Sequence, residues 1–248
     1  MSNYLNILLM IFSLLGSIMG TFATSNKIPT TSLATDYAVG YSRPVVVQEK
    51  AAANSAEDVA LEEFVASVVN GDPNMVVGVY IPGVLARPVG QQPKDNAGFV
   101  TRESDKVTQF DLARRYGTVG ILAHNDLAGA EFANIKLNSY AIVVYGDGRL
   151  DYYVVRAIEK YQALSPTSTD SDFVNLDGSN ELLSASKLFS RIYGAGDRLV
   201  LQTCILANGD PSWGRMFIIA TPATSQVLSV VKETSFLLNF ASFGLAAQ

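Results

Sequence analysis

The sequence predicts a mainly β protein, folded as a barrel or sandwich with a few short helices. Short apolar runs recur along the chain, turn residues separate most of them, and few segments show helical periodicity. With 248 residues, of which 48% are hydrophobic, the chain can form one core of ordinary size plus appendages. We therefore expect a single globular domain.

Composition argues against a nucleic-acid partner. Charged residues make up 17% of the chain, the formal net charge is -5, and Lys and Arg form no cluster. The sequence therefore has no basic patch that could bind a phosphate backbone. The single cysteine rules out an intrachain disulfide and a site built from several thiolates. We expect no cofactor and no metal ion, and the lone thiol is a candidate reactive group.

The N-terminal part of the chain has the composition of an export segment. Residues 1–23 contain an apolar run from Leu5 to Met19, followed by small residues at the positions of a cleavage site. This predicts either a signal peptide or a retained membrane anchor, and any membrane contact would come through it. Residues 24–54, rich in Ser, Thr, Ala and Pro, predict a linker.

The elements that follow alternate between short helices, strands and turns. Residues 55–71 predict a leading helix, residues 75–81 a strand, residues 87–98 a loop with two prolines, and residues 108–116 a short helix. An apolar strand at residues 118–123 then runs directly into His124, the only histidine.

The second half of the chain begins with its clearest hairpin. Residues 140–145 and 150–155 are apolar runs flanking Gly146-Asp147-Gly148-Arg149. A helical pattern at residues 181–193 precedes a strand that ends on Cys204, and Arg215 opens the next strand. Residues 223–248 predict an apolar tail, a helix or strand packed on the barrel, to which we assign no chemistry.

Three residues carry the candidate chemistry, although each alone is more often structural. A thiol with an ordinary pKa is only a few per cent ionised near neutral pH, so a catalytic Cys204 needs a cation or base beside it. His124 can stabilise the thiolate and protonate a leaving amine, and Arg215 can bind an oxyanion. This set suits acyl transfer at a carbonyl, and Cys204 is then expected to alkylate faster than a free thiol at about pH 7.

The motifs around these residues resemble those of the sortases. Ala123-His124-Asn125, Leu201-Gln202-Thr203-Cys204 and Arg215 are similar, in this order, to the histidine, the Leu-x-Thr-Cys motif and the strand arginine of that family. The resemblance covers roughly residues 75–221. It implies a sortase-like closed β-barrel over residues 72–222 and a cysteine transpeptidase with His124, Cys204 and Arg215 as catalytic residues.

The same resemblance implies the partners and the location. The substrate would be a secreted protein carrying a sorting signal, and the acceptor an amine on the cell envelope or a pilin. The enzyme would act outside the cytoplasm, membrane-anchored or secreted. Two alternatives stay open: a cysteine endopeptidase with water as acceptor, and an exported β-barrel binding module whose thiol is inert.

Other families of cysteine acyl transferases fit the order of residues less well. Papain-like and cell-wall hydrolase families place cysteine before histidine, and L,D-transpeptidases carry an arginine two residues after cysteine, where this chain has Leu206. Asn125 or Asp126 is a candidate for orienting the His124 ring.

A second group of polar residues lies between the hairpin and the cysteine strand. Its acidic members do not have the spacing of a calcium loop, so a solvated loop bordering the substrate groove is the favoured interpretation. These residues are Asp170, Asp172, Asp177 and Glu181.

Overall fold

The computed structural model describes residues 56–168 and 170–223. The described helices are α1 (Ala56–Val68), α2 (Asp111–Arg114), a 3-10 helix (Ala128–Asn134) and α3 (Ala185–Tyr193). The strands are β1 (Val76–Ile81), β2 (Leu85–Gln91), β3 (Val107–Gln109), β4 (Thr118–Leu122), β5 (Tyr140–Tyr145), β6 (Leu150–Ala163), β7 (Phe173–Asn175), β8 (Leu182–Leu183), β9 (Arg198–Ala207) and β10 (Asp210–Pro222).

Strand pairing closes the sheet into a barrel. The strands follow the order β10-β9-β4-β3-β2-β1-β5-β6-β7-β8, and β10 also pairs with β6, so the first eight strands of this order form a ring. β7 and β8 extend from β6 outside that ring. Two pairs, β2 with β3 and β4 with β9, are parallel. The mainly β, closed-barrel fold predicted from the sequence is confirmed.

Alternation along the strands divides buried side chains between the barrel interior and its outer faces. All residues of β1 are buried, but Val79 and Ile81 belong to the interior core, whereas Val77 and Tyr80 face Phe64 of α1. Successive side chains of a strand point to opposite faces, so a run buried on both sides needs a covering element. Here α1 supplies that cover.

A second helix covers the outer face of β9 and β10. In α3, Leu188, Phe189, Ile192 and Tyr193 are buried and share one core with outward-facing side chains of both strands, including Val200 and Phe217. Ser184 caps the helix, because its side chain accepts a hydrogen bond from the Lys187 backbone. The wall that carries Cys204 is therefore packed on both sides.

Three expectations about local structure away from the candidate site are wrong. The helix expected at residues 108–116 is reduced to α2, because Thr108 and Gln109 pair with β4 as part of β3. Residues 87–98 do not form one loop, because β2 extends to Gln91 and pairs with both β1 and β3. Pro88 is tolerated in β2 since the β3 pairing begins only at Val89. The predicted helix at residues 181–193 begins at Ala185, because Leu182 and Leu183 pair with β7.

The predicted hairpin is present as β5 and β6, with Gly148 in the left-handed region at its turn. The export segment, the linker and nearly all of the tail lie outside the described residues. Among residues 56–168 and 170–223, the structure contains no helix long and apolar enough to cross a membrane.

Candidate functional site

Cys204 lies within β9 rather than at its end. The strand was expected to stop at the cysteine, but it runs three residues further, to Ala207, because β10 continues to pair with it at Ile205 and Ala207. The chain reverses at Asn208 and Gly209, which both have positive φ. The thiol is half-buried in the outer face of the barrel wall.

Arg215 lies directly opposite Cys204 on β10. The two are register partners in the antiparallel pair, and β10 begins earlier than expected, at Asp210, with an irregularity before Gly214. Arg215 is 3% exposed, and its Nη1 donates to the carbonyls of Ser212 (2.8 Å) and Gly214 (2.9 Å). These two hydrogen bonds tether the guanidinium next to the cysteine strand.

His124 follows the end of β4, the other neighbour of β9. The parallel pairing ends with Leu122 opposite Gln202, and the Ala123 amide continues it by donating to the Gln202 carbonyl (3.2 Å). His124 and Cys204 are each two residues beyond this last pair. The structure therefore brings the three predicted site residues to the same end of the adjacent strands β4, β9 and β10.

The segment before β3 holds the imidazole. His124 donates a hydrogen bond to the Val100 backbone, while its Nε2 is buried and has no hydrogen-bond partner among the described residues. Val100 is itself buried, in the core that includes Leu122. Val100 could not be identified from the sequence, because its backbone rather than its side chain makes the contact.

Burial lowers the pKa of His124. The nearby Arg102 guanidinium lowers this pKa further, and the Val100 hydrogen bond and the Asp126 carboxylate oppose the shift. The imidazole is therefore mostly neutral near pH 7, and its unpartnered Nε2 is the atom that can exchange a proton.

Burial raises the pKa of the Cys204 thiol, the opposite of the direction expected from the sequence. The Arg215 guanidinium and a hydrogen bond with Ser212 lower this pKa, whereas Asp210 and Asp126 raise it. Desolvation is the largest of these effects, and the thiol packs against the outer core that α3 shares with β9 and β10. Cys204 is consequently a neutral thiol near pH 7.

The two residues proposed to orient the His124 ring make other contacts. Asn125 Nδ2 donates to the Pro211 carbonyl (3.0 Å), which ties the end of β4 to the β9–β10 hairpin. Asp126 accepts a hydrogen bond from Arg102 Nη2 (2.9 Å) at an exposed position. The negative charge of Asp126 raises the pKa of His124. Asn125 instead holds the loop after His124 against the β9–β10 hairpin.

The acidic segment makes local contacts on the outer surface. Asp177 accepts from the Ser179 amide (2.8 Å), and both oxygens of Glu181 bind the Arg191 guanidinium. Within the described ranges, no three His, Cys, Asp or Glu side chains are close enough to hold a metal ion.

Two clefts open beside these contacts. One, of about 420 Å³, lies against β6 and β7, and the other, of about 430 Å³, lies between β8 and α3. Arg191 lines both of them. None of Cys204, His124 and Arg215 lines either cleft, so the candidate chemistry and these clefts are separate features.

Several solved sortase structures are among those similar to this chain. No protein-family model and no curated protein matches the sequence. The chain is similar to sortase C1 of Streptococcus agalactiae, with 12% identity, a TM-score of 0.38, and coverage of 62% of this chain and 72% of that one.

Two further solved structures show similar values. For sortase A of Corynebacterium diphtheriae the identity is 12%, the TM-score 0.40, and the coverage 62% of each chain. For sortase C of Clostridium perfringens, solved with the C-terminal cell wall sorting motif, the identity is 14%, the TM-score 0.39, and the coverage 62% of this chain and 74% of that one. The strand pairings within this chain, rather than these overlaps, establish the closed barrel.

Proposed function

We propose that this protein is a cysteine transpeptidase of the sortase type. It would cleave a sorting signal on a secreted protein through a thioacyl intermediate and transfer the product to an amine on the cell envelope or a pilin. The observation that carries the proposal is the pairing of Cys204 with Arg215 across β9 and β10, with His124 at the end of the neighbouring β4. The motif resemblance supports the same conclusion.

The first step needs a thiolate and an imidazolium, although both groups are neutral near pH 7. Transfer of the Cys204 proton to His124 forms this ion pair in a minor fraction of molecules, and the guanidinium of Arg215 stabilises the thiolate. The thiolate then attacks the carbonyl carbon of the scissile peptide bond. Arg215, tethered by two backbone carbonyls, stabilises the oxyanion of the tetrahedral intermediate.

His124 completes the acylation. Its imidazolium gives the proton to the leaving amine, the C–N bond breaks, and the acyl group stays on Sγ as a thioester. An acceptor amine then attacks this thioester and loses a proton to the neutral imidazole, and Cys204 leaves as the thiolate. With water as the acceptor, the same steps give an endopeptidase.

One observation favours the alternative of an inert thiol. The pKa of Cys204 is raised by burial, so the thiol is less ionised than a free cysteine. A cysteine that serves only as a core residue of a barrel has this property. Detection of the thioester separates the two functions, because an inert core thiol forms no adduct with any peptide.

The decisive experiment follows the acyl-enzyme by intact mass. The full chain is incubated with a library of sorting-signal peptides, and wild type should gain the mass of an N-terminal peptide fragment. Cys204→Ala should gain none, and His124→Ala should be blocked because the leaving amine is not protonated. Hydroxylamine or an added amine should discharge the adduct. Absence of any adduct on wild type across the library would overturn the proposal.

We also propose that the protein works outside the cytoplasm, anchored to or released from the membrane. Support comes from the apolar run Leu5 to Met19 and the following linker. Cell fractionation with N-terminal sequencing tests this. A cytoplasmic pool retaining Met1 would contradict it.

A further inference from the structure

We propose that Gly129 is a positioning residue that sets the distance between the His124 turn and the strand carrying Cys204. This inference rests on the proposed function, in which the imidazole and the thiol exchange a proton. Gly129 belongs to the 3-10 helix that follows β4, and it is buried where this helix contacts β9. Nothing in the sequence distinguishes this glycine from the others in the chain.

The His124 carbonyl is the centre of a tight turn. It accepts hydrogen bonds from the amides of Leu127 (3.0 Å) and Gly129 (2.9 Å). These two bonds fold the chain back immediately after the histidine. The position of Gly129 therefore fixes the position of the His124 backbone.

Space, rather than backbone conformation, requires glycine at this position. The φ angle of Gly129 is outside the left-handed region, so this angle does not itself call for glycine. A Cβ built there would lie 2.4 Å from Thr203 Oγ1, 2.6 Å from the His124 carbonyl oxygen and 2.9 Å from the Ala123 carbonyl oxygen. Two of these three atoms belong to backbone, which cannot rotate away.

Gly129 packs against the side chain of Thr203. Thr203 is 1% exposed, precedes Cys204 directly on β9, and its Oγ1 is buried without a hydrogen-bond partner among the described residues. Consecutive strand residues point to opposite faces. Thr203 therefore meets Gly129 on the inner face while Cys204 faces outward.

A side chain at residue 129 would separate these two parts of the site. Relief of the overlap moves either the His124 turn or β9, and β9 is held on both sides by β4 and β10. The His124 turn should therefore move away from Cys204. A displacement of about 1 Å in a catalytic group can lower the rate about 100-fold.

The test compares Gly129→Ala with Gly90→Ala, both in the full chain. Gly90 is a matched control, because a Cβ there meets its nearest atoms at 3.6 Å and 3.7 Å, an ordinary contact distance. We expect Gly129→Ala to lower kcat on the order of 100-fold, with KM close to wild type. Gly90→Ala should keep both constants.

A second measurement does not depend on turnover. His124 is the only histidine, so its imidazole gives a single set of NMR signals. Gly129→Ala should shift these signals, and Gly90→Ala should not. Adding Thr203→Ala to Gly129→Ala removes the atom at 2.4 Å but leaves the two backbone overlaps, so the signals should return part of the way toward their wild-type positions.

These measurements distinguish failure of the inference from failure of the proposed function. If wild type forms no acyl-enzyme while the imidazole signals shift and recover as described, the transpeptidase proposal fails and the positioning contact stands. Unchanged imidazole signals in Gly129→Ala overturn the inference. Signals in the double variant no closer to wild type than those in the single variant also overturn it.

Discussion

Cys204 and Arg215 are directly opposed residues of an antiparallel strand pair, and the guanidinium is almost fully buried next to the thiol. The positive charge lowers the pKa of the thiol, but desolvation raises it by more. The net result is a cysteine that is protonated near pH 7, with Arg215 and a hydrogen bond with Ser212 stabilising its thiolate form.

Alkylation of Cys204 should be slower than that of a free thiol at about pH 7, because its pKa is raised above the ordinary value of 9.0. Iodoacetamide rates between about pH 6 and pH 11, followed by intact mass, measure this. The rate should still be rising above pH 9.0. The denatured protein supplies the free-thiol control, and a rate that reaches its plateau below about pH 8 would contradict the raised pKa.

Replacing Arg215 by Lys or Gln separates its charge from its geometry. Arg215→Lys keeps a cation but loses the planar fork, so kcat should fall on the order of 100-fold while the pH dependence of alkylation stays near that of wild type. Arg215→Gln loses the charge as well, so its alkylation should shift to higher pH. Near wild-type turnover in Arg215→Lys would argue against the oxyanion role.

Acid should destabilise the protein through His124. Its folded pKa is below the unfolded value of 6.5, so the unfolded state binds the proton first and the free energy of unfolding falls as pH drops below 6.5. The loss ends once pH is below the folded pKa. Urea unfolding at pH values on both sides of this window should show a smaller decrease in His124→Gln. Equal decreases in both proteins would exclude His124 as the cause.

The hydrogen bond between Tyr193 and Gln202 should stabilise the contact between α3 and β9. The Tyr193 hydroxyl donates to Gln202 Oε1 at 2.6 Å, and both side chains are buried. Tyr193→Phe removes the donor and leaves a buried amide oxygen unsatisfied, at a cost of about 1–3 kcal/mol. Denaturant unfolding monitored by the single tryptophan measures this cost. A free energy of unfolding equal to that of wild type would show that Gln202 finds another donor.

Local patterns in the sequence predicted most of the barrel. The apolar runs at β1, β4, β5, β9 and β10 are long enough to identify strands, and Gly146 to Arg149 marks the hairpin turn. The short strands β3, β7 and β8 were missed because two or three residues carry no periodic signal. These strands form because neighbouring strands hydrogen-bond to their backbone, and that pairing depends on the tertiary structure.

The groups available for the chemistry follow from the sequence alone: one thiol, one imidazole and an arginine, in a motif order that resembles the sortases. The folded barrel places β4 and β10 on either side of β9, which brings residues from distant parts of the chain to one end of the barrel. Packing in the barrel also sets the charge states of Cys204 and His124. Whether a thiol gains or loses a proton depends on how much water its neighbours exclude and how near the opposing charge lies, and both quantities are set by packing across strands and helices rather than by adjacent residues.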